Sequence, residues 1–125
     1  AVKAALFCLQ NRDAMQQAHD KLSQIKREII EVCRANAIVV YESDTNFLLL
    51  QDQYAGRLAN AFALAKIRVS DCSQYPHSFG LLHNMLRVAV PASADLKKFL
   101  KAILLGSGSA AASVACLRSV EVILK

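Results

Sequence analysis

The sequence has no tryptophan, an aromatic content of only 6%, two prolines and four glycines in 125 residues. It has no basic run longer than the pairs Lys26-Arg27 and Lys97-Lys98. A net charge of +5 invites an acidic partner. Scattered cations without clusters or interleaved aromatics nevertheless argue against nucleic acid. No apolar stretch reaches the length of a bilayer span, and the N-terminus shows no signal-peptide pattern, so no membrane partner is expected. Cys8, Cys33, Cys72 and Cys116 lie far apart, with no Cys-x-x-Cys and no histidine at metal-ligand spacing. They are expected to be reduced packing residues of an intracellular protein, cytoplasmic or organellar, rather than a disulfide framework or a metal site. What is present is apolar: 54% against 20% charged, which excludes disorder and suits one domain. The chain opens on Ala1 rather than Met, and is expected to be a piece of something longer.

Met15, Ala18, Leu22, Ile25, Ile29 and Cys33 recur at steps of three and four and predict a long amphipathic helix. Asn11 or Asp13 can cap its start, and Asn36 stands where it would end. The β-branched run Ile38 to Tyr41 reads as a strand. A turn at Ser43-Asp44-Thr45 leads to a second strand, Asn46 to Gln51, apolar enough to have both faces covered. A compact helix follows Gly56, and Ile67-Arg68-Val69 reads as a third strand. Residues 70–84 look irregular, broken by Pro76 and Gly80, and a loop of that length is often functional. Met85 to Val90 is the fourth strand, ended by Pro91. Ser93 is the expected cap of an amphipathic helix through Leu104, and Gly106-Ser-Gly-Ser reads as a flexible joint before a weakly helical tail, Ala110 to Lys125. The order predicts an α+β sandwich: a small mixed sheet of three to four strands packed by helices, over residues 1–105, with 106–125 as joint and tail.

Arg87 interrupts an apolar strand, where a charge is costly unless paired. Two readings stay open. The side chain lies on an open sheet face with its stem snorkelling outward, or its planar fork points into a cleft and grips a carboxylate or phosphate by two parallel hydrogen bonds. His77 and His83 have acid–base chemistry available but read as solvated loop residues. Cys72 has no adjacent base that would make it a nucleophile. No catalytic, cofactor-binding or metal residue is assigned.

The succession ESDTNFLLLQ (42–51), a helix, KIRVSDCSQYP (66–76) and LRVAV (86–90) resembles the C-terminal part of histidinol-phosphate aminotransferase and its relatives. These are pyridoxal-phosphate enzymes of fold type I. The resemblance covers residues 4–105 or so, most specifically 43–50 and 67–90. It implies the small domain of a transaminase that moves an amino group between a histidinol-phosphate-like amino acid and a 2-oxoacid. It also implies a homodimer, with the cofactor bound mainly by a large domain absent from this chain. By the same matching Arg87 falls on the arginine that binds the substrate α-carboxylate, Asn46 fixes the turn before the strand, and Phe47 anchors the strand in the core.

The chain departs from the family at several positions. Ser70 precedes Asp71 where an arginine usually grips the substrate phosphate, and Arg68, two residues earlier, is the candidate substitute. Lys66 stands where glycine is preferred, and Gly-Thr-Pro after the last strand is reduced to Pro91. Asp-Cys-Ser with Phe-Gly-Leu is also similar to the threonine-phosphate decarboxylases of cobalamin synthesis. Ser78-Phe79-Gly80-Leu81 echoes the stretch that carries the Schiff-base lysine. His77 stands in the lysine's place, however, and the echo follows the strand it should precede. A stand-alone module that binds a partner or a small anion, and a degenerate relative, are the readings from other classes.

Overall fold

A computed structural model describes residues 1–76 and 79–107. Two helices open the chain, α1 (Val2–Gln10) and α2 (Arg12–Ala35). The expected stripe does form one face of α2, but only its C-terminal half is covered. Ile25, Ile29, Ile30 and Cys33 are buried, whereas Met15 is exposed. Asn11 precedes α2 without a side-chain capping bond; its amide Nδ2 donates instead to Phe7 O. α1, which the periodicity does not mark, buries no side chain.

Four strands follow: β1 (Val39–Tyr41), β2 (Phe47–Gln51), β3 (Ser70–Asp71) and β4 (Met85–Ala89). Their order is β1-β2-β4-β3, and every neighbouring pair is antiparallel, so the sheet is not mixed. The short turn 42–46 joins antiparallel neighbours, and the long helical connection from β2 returns β3 parallel to it but with β4 between them. The third strand begins at Ser70 rather than at Ile67. The Ile67 N–H is already committed to Phe62 O at 2.9 Å, and pairing with β4 starts only at Ser70.

Helices α2, α3 (Ala55–Leu64) and α4 (Leu96–Gly106) cover one sheet face, which makes the α+β sandwich expected. Leu48, Leu50, Leu86 and Val88 pack from the sheet against Ile29, Leu58, Phe62, Phe99 and Ile103. The Phe62 and Phe99 rings meet at 5.0 Å between centroids, tilted by 48°. Ser93 does not cap α4: Ser93–Asp95 form a 3-10 turn ahead of it, with no side-chain capping bond.

Gly106 is not a joint but the last residue of α4. A Cβ there would lie 2.8 Å from Leu58 Cα and 2.9 Å from Ala61 Cβ, so its bare backbone lets α4 close on α3. The tail expected at Ala110 to Lys125 lies outside the described residues. No described helix is long and apolar enough to cross a membrane.

Candidate functional site

The turn before β2 is a cluster of short polar bonds. Ser43 Oγ accepts from the Thr45 N–H at 3.0 Å, and Thr45 Oγ1 accepts from the Phe47 N–H at 3.3 Å. From α2, Lys26 Nζ reaches across to donate to Ser43 O at 2.6 Å and to Thr45 O. Thus Ser43, Thr45 and Lys26 fix this turn, and the Asn46 amide does not. Asn46 is exposed and takes part through its carbonyl, which accepts from the Val90 N–H at 2.9 Å.

Alternation along β2 sends Leu48 and Leu50 into the core and Phe47 and Leu49 to the opposite face. Phe47 is therefore not a core anchor. It is 37% exposed, and Arg87 Cζ lies 4.6 Å from the centroid of its ring. Register explains the pair: Arg87 stands opposite Leu49 on β2 and opposite Ser70 on β3, which makes Phe47 its diagonal neighbour. A cation over an exposed ring gains about 0.5–1 kcal/mol, and with no carboxylate paired to it among the described residues the guanidinium keeps N–H groups for a planar anion.

Arg87 thus takes the open-face position. No carboxylate pairs with it among the described residues, and it lines neither a cleft of about 590 Å³ at the end of the sheet nor a groove of about 580 Å³ between α3 and α4. Arg68 is exposed and outside the paired residues of β3. Ser70, directly opposite Arg87, is half-buried.

Asp71 accepts from the Ser73 hydroxyl at 2.6 Å and from the Ser73 N–H at 2.9 Å, and so caps the 3-10 turn Cys72–Gln74. The same two bonds hold its carboxyl below the usual carboxylate value. Cys72 is buried, with Sγ 3.8 Å from Ser70 O. Cys8, Cys33 and Cys72 are free thiols. His83 is exposed; His77 and Ser78 lie outside the described residues.

A cleft of about 590 Å³ opens at the end of the sheet, where Asn36, Gln51, Asp52, Tyr54 and Asn84 converge. Asp52 is buried there; its Oδ1 accepts from the Tyr54 N–H at 3.1 Å, and its Oδ2 meets no donor. Buried Asn36 donates to Val32 O at 2.7 Å and accepts from Ser107 Oγ at 3.3 Å. This cleft is lined by amides, one tyrosine and one carboxylate, without a serine, threonine, cysteine, histidine or lysine. Among the described residues no three His, Cys, Asp or Glu side chains could hold a metal ion together. Sequence reasoning missed Lys26, whose place off the apolar stripe gives no hint of the turn it reaches.

The four-stranded antiparallel sheet with helices on one face resembles an aminotransferase domain in its fold. The chain resembles the crystal structure of a "putative aminotransferase" from Burkholderia pseudomallei K96243, with a TM-score of 0.59 and 23% sequence identity. The match covers 74% of this chain and 28% of that one, so the chain spans little more than a quarter of the protein it resembles. At that identity the likeness is one of fold. No protein family and no curated protein matches the sequence.

Proposed function

We propose that this chain is the small-domain part of a pyridoxal-phosphate-dependent aminotransferase, with Arg87 as the residue that binds the substrate α-carboxylate. One observation carries the reading. On an aminotransferase-like fold, the charged residue inside an apolar strand stands on the uncovered sheet face, braced by Phe47 and unpaired within the described residues. An amino acid and a 2-oxoacid both present a planar carboxylate, so one two-point grip serves each in turn.

This chain's own residues do not fit as holders of the cofactor. Among the described residues no lysine lies on a strand, and Lys26 is committed to Ser43 O and Thr45 O. The cofactor supplies electron withdrawal when bound. The groups that hold it, and the wall that turns the open face into a pocket, belong to other parts of a longer polypeptide or to a second copy in a homodimer. A histidinol-phosphate-like substrate needs a further cation near Ser70, and Arg68 is the one this chain offers.

The test uses the polypeptide that joins this chain to its cofactor domain. Arg87→Lys keeps the charge but not the fork, and is expected to raise KM for the 2-oxoacid about 10- to 100-fold. An unchanged KM would refute the role.

A further inference from the structure

Helices α3 and α4 carry Arg57, Lys97, Lys98 and Lys101 and no Asp or Glu. Between them, on the side away from the sheet, runs a groove of about 580 Å³. Two runs at the same helical spacing line it: Arg57, Ala61 and Leu64 from α3, and Lys98, Ala102 and Leu105 from α4. Lys101 extends the basic edge. Leu64 is 87% exposed and Leu105 is 62% exposed, although the opposite faces of both helices are fully committed to the core. Arg57, Lys98 and Lys101 form no ion pair among the described residues. The groove thus combines small residues at its base, two uncovered leucines and three cations that no described carboxylate pairs.

We propose that this groove is a docking site for an acidic amphipathic helix of a partner protein. Its apolar stripe lies between Leu64 and Leu105, and its flanking carboxylates face Arg57, Lys98 and Lys101. The charge pattern selects this occupant: a helix seats its apolar face in a groove through anchors one turn apart, and carboxylates on either side meet the cationic rim. An anionic membrane shares the charge but is flat, whereas this surface is concave. Nucleic acid shares it too, but the lining has no aromatic ring on which a base could stack.

The probe is a fluorescein-labelled peptide of about 14 residues, roughly four helical turns. It carries one leucine stripe flanked by glutamates and is titrated into the 125-residue chain by fluorescence anisotropy. Saturable binding is expected, weakened severalfold by added salt. Leu64→Glu and Lys101→Glu, both at exposed positions and checked for an intact fold by circular dichroism, are each expected to raise Kd at least tenfold (about 1.4 kcal/mol). A peptide with lysines in place of the glutamates is expected to bind at least tenfold more weakly. An unchanged Kd in both variants, or equal affinity for the charge-reversed peptide, overturns the proposal. So does binding to phosphatidylserine vesicles without peptide binding, which makes the surface a membrane contact. Self-association abolished by Leu64→Glu, without peptide binding, assigns the groove to a second copy. Peptide binding that appears only after residues 108–125 are deleted assigns it to the chain's own tail.

Discussion

Arg87 shows how a charge is tolerated in the middle of an apolar strand. It takes the uncovered parity of β4, so its head stays in water while it sits over the Phe47 ring. Cys33 is the opposite case: it is fully buried, and burial pushes its thiol from an ordinary 9.0 up to about 12. A group whose folded-state value is raised contributes stability that is present in full below its unfolded value and lost as pH climbs through the folded one. Relative to Cys33→Ala, the wild-type chain is therefore expected to lose stability between pH 9 and pH 12, on the order of 4 kcal/mol. Urea titrations at stepped alkaline pH measure this. Parallel pH profiles for the two proteins would show that the thiol ionises as freely in the fold as outside it.

Helix ends and helix contacts decide the next scale. α2 and α3 stop in the same way, with paired bonds back into the last turn: Ala37 N–H to Arg34 O and Ile38 N–H to Cys33 O, Lys66 N–H to Ala63 O and Ile67 N–H to Phe62 O. Each ending needs one left-handed residue, and Ala37 and Lys66 both stand at φ 59° where glycine would carry no strain. Ala37→Gly and Lys66→Gly are each expected to stabilise the fold by about 1 kcal/mol, read as a rise in melting temperature. A fall would mean that the Cβ packing lost outweighs the strain relieved.

Gly106→Ala should act in the other direction. Alanine favours a helix by about 1 kcal/mol over glycine, but its methyl would meet the backbone of α3, and overpacking of that kind costs about 1–3 kcal/mol. A net loss of stability in chemical denaturation is expected. A gain would show that α4 can slide away from Leu58 and Ala61 without cost.

At the scale of the molecule, the chain spans 28% of the protein it resembles, and its candidate arginine stands on a surface rather than in a cleft of its own. The 125-residue chain alone, mixed with pyridoxal phosphate, is therefore expected to show no new visible absorbance band and no transamination. A band that survives dialysis would place a cofactor-holding lysine within this chain.

Element types were legible because they depend on near neighbours. Steps of three and four mark α2, β-branched and apolar runs mark β1, β2 and β4, and Pro91 marks the end of β4. Which face of β2 turns inward was not legible, because Phe47 and Leu49 are as apolar as Leu48 and Leu50. Either parity satisfies alternation, and only the helices packed on one side choose between them. The two-residue β3 was equally hidden, since its pairing comes from β4, seventeen residues further along at Ser70↔Arg87 and fifteen at Asp71↔Leu86. Gly106 reads as a linker beside Ser107 until α3 is placed against it. The sequence by itself determined α2, α3 and α4, the main strands and the isolated arginine, but not α1. Tertiary structure decided which side of each strand meets water, because burial is a property of what packs against a residue and not of the residue alone.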